Sequence, residues 1–529
     1  MDATPLLLLV AASAAVAGAA RRTPVPPPLV LVAVGLAASF LPGVPDYTLD
    51  PDIVLPLVLP PLLHVAALDS SYLDLRAQVR HVLLLSVGYV LFSTVVVGWV
   101  VHTMVPGLSL TAALVLGAIV APPDAVAATA VARRIGLPAK ITTILKGESL
   151  FNDATSITAY KVALAATVGA GATWAGGLAE FAVAAVGGVG VGLVLMGPLQ
   201  WLRTRLRDPL LLNTVSLLIP FVAYAVAEEV HASGVLAVVV VGLYLGHRAW
   251  QVDFATRLQE AAVWRMAAFL LESSVFALIG LQLRVVLGDV GDYGAGEVAV
   301  YAAVVFLAVV AGRFAWVYVT VYLPGVRDPG GTPPWTYPFV VSWTGMRGVV
   351  SLAIAFAIPL TVDDGDPFPG RNLLLFLTFT TVIGTLVVQG LTLTPLIRVL
   401  GLPGRDSYQE TLAEAQAQNE ASRAAEQRLE ELLADPRNTL PQPLVNRLRS
   451  VLERRRNAVW ERLGTVNETT GESADETYRR LTREVIATER ESFVRQRDER
   501  RIDDEMLRTL LRRLDLEEAA ALYQEDAAQ

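Results

Sequence analysis

The stretch Lys146-Gly147-Glu148-Ser149-Leu150-Phe151-Asn152-Asp153-Ala154-Thr155 decides the fold. It sets two carboxylates, an amide and two hydroxyls inside a run that is mostly apolar on both sides. Residues three and four apart share a helix face, so Glu148 lies beneath Asn152, and Ser149 beneath Asn152 and Asp153. An ionised side chain near the centre of a bilayer costs about 2.5 to 3.5 kcal/mol on insertion scales. Two in one span therefore need partners or a task.

The rest of the chain supplies the bilayer. Of 529 residues, 53% are hydrophobic, mean hydropathy is +0.50, and no long polar stretch occurs before about residue 402. This is the composition of a polytopic all-α membrane protein over residues 1–401, followed by a charged helical tail over 402–529. About half of the Lys, Arg, Asp and Glu residues fall in the last quarter of the chain, which marks the boundary. The lack of cysteine excludes disulfides, thiolate ligands and Cys nucleophiles, and the five scattered histidines show no ligand spacing. A net charge of −8 and a pI near 5.4 argue against a nucleic-acid partner. No cofactor motif is present. The first apolar run, 6–20, has acidic Asp2 before it and Arg21-Arg22 after it, the reverse of a signal peptide, so it reads as a spanning helix.

With Gly, Pro and charge clusters as punctuation, thirteen apolar spans are predicted near 5–20, 28–42, 52–68, 81–104, 110–132, 139–168, 177–201, 210–230, 232–247, 262–285, 296–324, 337–359 and 372–400. With the N-terminus outside, one set of loops holds thirteen basic residues and the other only Arg284 and Arg371. That bias predicts a cytosolic C-terminal tail. Within the tail, helices are expected over 409–433, 444–463 and 476–523.

Spans five and twelve are interrupted. Ala121-Pro122-Pro123-Asp124 sits in the middle of the fifth, and Ser342-Trp343-Thr344-Gly345-Met346-Arg347-Gly348 at a similar depth in the twelfth. Proline removes a helix donor and drives the preceding residue out of the α region. Paired interruptions in corresponding halves point to a transporter site. The offset of seven spans makes the two run in opposite directions, as inverted repeats of spans 1–6 and 8–13 produce.

A helix opened at mid-membrane aims bare N–H groups one way and bare carbonyls the other. Asp124 stands where the second half of span five begins, so its carboxylate either caps that half-helix or ligates an ion. Arg347 either offsets exposed carbonyl ends or pairs with Glu148, and Arg313 is the other intramembrane cation. We expect Glu148 to pair with Arg347 in preference to Arg313, which leaves Asp153 without a counter-ion, and Glu272 to be a structural partner. Burial of a carboxylate with no fixed positive partner favours its protonated form. Such a group holds a proton at one pH and a dehydrated cation at another. Oxygen ligands suit a small hard cation such as sodium, and Thr129, Ser149, the Asn152 carbonyl and unwound carbonyls near 120–122 are available beside Asp153.

These motifs carry a resemblance. G-E-S-L-F-N-D (147–153), P-P-D-A-V-A-A-T-A-V (122–131), L-P-P-L-L (59–63), S-G-V-L-A-V-V-V-V-G-L (233–243), F-A-L-I-G-L-Q-L (276–283) and G-M-R-G-V-V-S-L-A (345–353) together resemble the monovalent cation/proton antiporters, specifically bacterial sodium/proton antiporters of the NhaP and Na+/H+ exchanger type. The resemblance covers 5–400 and leaves out the tail. It implies a homodimer whose protomers each combine a dimerisation domain with a six-helix core, moving the ion by an elevator-like alternating-access motion. It implies that Asp153 binds the ion, and that an Asn152-Asp153 pair goes with electroneutral one-for-one exchange. Asp124, Glu148, Ser149, Asn152, Asp153 and Arg347 match the family's positions. Pro123 and Ala125 depart from the Thr/Ser and Pro that flank the span-five acid in many members, and His64 and Val65 replace an aromatic and sometimes an acidic residue.

Two other classes compete. An intramembrane aspartyl protease would use Asp124 and Asp153, but the chain lacks the G-x-G-D context. A cation channel or sensor with an antiporter-like core would show current independent of exchange. Among antiporters, a potassium-selective exchanger is the runner-up.

Overall fold

The computed structural model describes residues 3–23, 25–42, 51–124, 137–169, 174–206, 208–288, 293–322, 333–362, 366–401, 407–438, 440–461 and 474–522. The chain divides into two compact units, Met1–Leu402 and Pro403–Gln529.

The first unit is a bundle of helices: α1 (Ala3–Ala20), α2 (Pro27–Ser39), α3 (Pro51–Leu68), α4 (Tyr72–Ala77), α5 (Val79–Met104), α6 (Leu110–Val120), α7 (Ala139–Val168), α8 (Trp174–Arg205), α9 (Pro209–Glu229), α10 (Gly234–His247), α11 (Phe254–Gly288), α12 (Ala295–Tyr322), α13 (Thr336–Trp343), α14 (Val349–Phe356) and α15 (Arg371–Leu400). Local chemistry starts and stops them. Ser109 and Ser233 accept hydrogen bonds from the N–H groups of Ala112 and Leu236, and Asp208 from that of Leu210, with Pro209 fitting the first helical position. Gly169 and Gly401 end α7 and α15 at φ 110° and 56°. By length and composition, six of the described helices can cross a bilayer outright: α5, α8, α9, α11, α12 and α15. α13 and α14, at 8 residues each, cannot cross alone.

Burial sorts the helices. Ala112 to Val120 of α6 are all buried, and so is most of α14. By contrast Val183, Val186 and Val194 of α8 are 67%, 74% and 73% exposed. Helices that are apolar all round occupy the interior, and those with an outward apolar face fit a hydrocarbon surrounding. α6 packs on α5 and α7, α10 on α3 and α8, and α2 along α11. The α2–α11 contact is backbone to backbone. A Cβ on Gly280 would collide with the carbonyl of Val32 and stand 2.7 Å from the amide of Leu36. Small residues at helix crossings allow this approach and the dispersion contacts it brings.

The tail forms two helical pairs: α16 (Ser407–Leu433) with α17 (Gln442–Glu461), and α18 (Ala474–Asp498) with α19 (Asp504–Leu522). The continuous helix expected over 476–523 is corrected by this. Arg500 takes a left-handed φ of 58°, and Asp503 accepts from the N–H of Met506 at 2.7 Å to restart the chain as α19. The turn lets the apolar faces carrying Ile486, Leu507 and Leu514 be buried. A single straight helix would leave them in water.

Replacing Gly280 with valine should overpack the α2–α11 crossing and cost about 1 to 3 kcal/mol. A thermal melt of detergent-solubilised protein, read by size-exclusion fluorescence, should fall by several degrees; an unchanged melt contradicts the packing described.

Candidate functional site

The chain leaves helix at both predicted interruptions. α6 stops at Val120 and residues 121–124 are unwound; α13 stops at Trp343 and α14 begins at Val349. Residues 125–136, with Thr129, lie outside the described residues.

Backbone groups freed this way have no water to bond in a membrane interior, so each needs a partner. The carbonyls at the end of α6 find theirs in order. Ala118 O accepts from Ser156 Oγ at 2.9 Å, Val120 O from Arg347 Nε at 2.8 Å, Ala121 O from Arg347 Nη2 at 3.3 Å, and Pro123 O from Asn152 Nδ2 at 2.6 Å. The second interruption is treated alike. Val341 O accepts from Arg313 Nε at 3.1 Å, Gly345 O from Arg347 Nη1, and Met346 O from the amide of Asp124 at 2.7 Å. The amide of Arg347 donates to Thr385 Oγ1 at 3.0 Å. The two interruptions thus bond directly to each other, through Asp124 and through Arg347.

Glu148 is paired with Arg313 in a two-pronged geometry, Nη1 to Oε1 at 2.6 Å and Nη2 to Oε2 at 2.9 Å, with both side chains buried. This corrects the expected preference for Arg347. The reason is the acceptors: Arg347 is already held by the carbonyls of Val120, Ala121 and Gly345 and by Tyr89 Oη at 2.5 Å. Helix C-terminal ends carry partial negative charge, and a guanidinium set on them needs no carboxylate.

Asp153 stands apart from these networks. It is 7% exposed, and among the described residues no hydrogen bond or ion pair reaches it. It lines a cavity of about 60 Å³, room for more than one water molecule, with Asp124, Ser149, Glu272, Pro122 and Ser351. Asp124 and Glu272 are the other carboxyl groups of that lining. The Asp124 carboxylate also packs against Gly348, where α14 begins; any side chain at Gly348 would collide with it. A carboxylate there meets the positive end of a half-helix. Asn152 uses its amide nitrogen on Pro123, so its Oδ1 is buried with no partner among the described residues. Glu272 is brought to the cavity, although the sequence marks it only as a structural partner. His64 does not line it; its ring lies 5.2 Å from that of Trp264.

Sequence reasoning missed Tyr89, Ser156, Thr385 and Ser351. Ser351, whose Oγ is buried with no partner among the described residues, lies within the quoted 345–353 motif and faces the cavity. The other three are ordinary hydroxyls in apolar helices and gave no signal, because their partners are backbone groups or a guanidinium distant in sequence.

Replacing Glu148 with alanine leaves Arg313 buried without its carboxylate and should cost about 3 to 5 kcal/mol. The double variant Glu148→Leu with Arg313→Met should be markedly more heat-stable than Glu148→Ala alone. Equal melts for wild type and Glu148→Ala would contradict the pairing.

The family model described as the sodium/hydrogen exchanger, transmembrane, matches residues 8–399. An uncharacterised Na(+)/H(+) exchanger of Mycobacterium tuberculosis is 33% identical over 94% of this chain and 92% of its own length. A sodium, potassium, lithium and rubidium/H(+) antiporter of Bacillus pumilus is 32% identical over 69% of this chain and 56% of its own. In fold, the chain is similar to the sodium proton antiporter MjNhaP1 from Methanocaldococcus jannaschii, with a TM-score of 0.61 and 21% identity over 75% of this chain and 98% of that one. With its family match running through nearly all of the first unit, this chain belongs to the sodium/hydrogen exchanger family, a family of transporters and not of enzymes.

Proposed function

We propose that the protein exchanges sodium for protons, one for one, with Asp153 as the group both ions occupy in turn. The observation that carries this reading is Asp153 itself: nearly buried, facing a small cavity beside Asp124, with no basic partner among the described residues. Glu148, the other acid of the same stripe, is neutralised by Arg313 and so is unsuited to the task. Ser149, Ser351 and Asp124 line the same cavity as Asp153 and offer oxygens for a sodium shell, the Asn152 carbonyl belongs to the residue next in sequence to Asp153, and Thr129 is kept as a further ligand. One carboxylate serving both ions requires no separate proton path. A cation leaving for each proton entering moves no net charge.

The same reading places thirteen spans in the cytoplasmic membrane, with inverted repeats, the N-terminus outside and the tail in the cytosol. Alternating access follows from a core carrying the two interrupted helices moving past a fixed partner domain, and a homodimer would anchor that domain. The biological outcome is control of cytosolic pH and sodium. A wider cation range is the second reading, supported by the Bacillus pumilus relative, whose name gives sodium, potassium, lithium and rubidium. A carboxylate-and-hydroxyl shell with few fixed ligands discriminates weakly among such ions.

In proteoliposomes with an imposed proton gradient, sodium should collapse the gradient, reported by a pH-sensitive dye; lithium and potassium in turn define the range. Asp153→Asn, folded and reconstituted, should behave as empty liposomes, and full activity in that variant would refute the site. Current recordings under an imposed potential should be silent in wild type. A cation-dependent current with no gradient collapse would favour a channel.

A further inference from the structure

α5 is not uniformly α-helical: Leu84–Tyr89 forms a π-turn. Such turns are rare, occur often at functional sites, and leave a carbonyl outside the helical ladder. Here the carbonyl of Leu84 accepts from Trp316 Nε1 of α12 at 2.9 Å. Gly88 lets the indole lie close; a Cβ there would stand 2.6 Å from its ring. α12 therefore holds the widened turn in place.

The turn ends on Tyr89, which is fully buried. The Arg313 guanidinium lies 5.1 Å from the centre of its ring and that of Arg347 5.9 Å, and its hydroxyl oxygen accepts from Arg347 Nη2 at 2.5 Å. Among the described residues, only one of the two buried cations beside Tyr89 has a carboxylate, since Arg313 takes both oxygens of Glu148 and Arg347 bonds to carbonyls and the phenol. A ring face attracts cations, so Tyr89 eases a like-charge contact that would otherwise push Arg347 off its carbonyl acceptors. Arg347 grips Val120 and Ala121, and the very next residues, Pro122, Pro123 and Asp124, line the cavity.

We infer that Tyr89 is a positioning residue for ion exchange: acting through Arg347, it fixes the open end of α6 and thereby sets the geometry of the cation cavity. This rests on the exchange reading above. Tyr89→Phe keeps the ring and removes the acceptor, leaving Arg347 Nη2 with only the longer bond to Ala121. A lost hydrogen bond to a charged group should raise the half-saturating sodium concentration about tenfold, with maximal rate little changed. The pH profile of exchange should move as well, since proton and sodium compete. Trp316→Phe, which frees the π-turn carbonyl while leaving the cavity lining intact, should shift half-saturation the same way, about threefold.

The assay is sodium-dependent gradient collapse in proteoliposomes, titrated across pH. Wild type without cation-dependent proton movement overturns the exchange reading. Active wild type, with Tyr89→Phe matching it in half-saturation and pH profile, overturns the role of Tyr89, even if the variant is less heat-stable. Should Tyr89→Phe not accumulate, an unchanged half-saturation in Trp316→Phe overturns it equally.

Discussion

A helix opened inside a membrane cannot leave its backbone groups bare, and everything at this site follows from how those groups are satisfied. The freed carbonyls of α6 are taken by Ser156, Arg347 and Asn152, and those after α13 by Arg313, Arg347 and the amide of Asp124. In hydrocarbon an unmet carbonyl or amide costs several kcal/mol, so this set of bonds is a condition for the fold and not an ornament of it. It also ties the two interruptions together, which is why residues more than two hundred positions apart line one cavity.

Satisfying carbonyls with guanidiniums has an electrostatic consequence. Arg347 is held by dipoles and a phenol, Arg313 by Glu148, and among the described residues neither is bonded to Asp153. A buried ion pair is a poor device for stability alone, because desolvation offsets most of the attraction. In the proposed exchange its use is spatial: it takes up the acid that would otherwise compete with Asp153 for sodium or protons. On the proposed exchange, the two carboxylates five residues apart on one helix divide the labour, Glu148 structural and Asp153 exchangeable, according to which of them a guanidinium reaches.

Much of this was legible in the sequence. The apolar runs, the two interruptions and the polar stripe of α7 all follow from local chemistry, since proline, glycine and charge act on the helix in which they stand. The ion-pair partner was not legible, because Arg313 and Arg347 are equivalent until the open ends of α6 and α13 are placed in space and claim Arg347 through its several acceptors. Tyr89 was hidden for a related reason: the π-turn that aims it leaves no signature beyond an ordinary apolar run with a glycine. In the tail, the break at Arg500 needed the pairing of α18 with α19, a tertiary preference that outweighed a continuous helical pattern.

In the proposed exchange, sodium and a proton compete for one carboxylate. Binding of sodium to purified protein in weakly buffered detergent solution, with released protons counted as sodium is added, tests it most directly. Sharing of Asp153 predicts about one proton released per sodium bound at the pH where that group is protonated, and none in the Asp153→Asn variant. Saturable sodium binding at that pH with no proton release would contradict it.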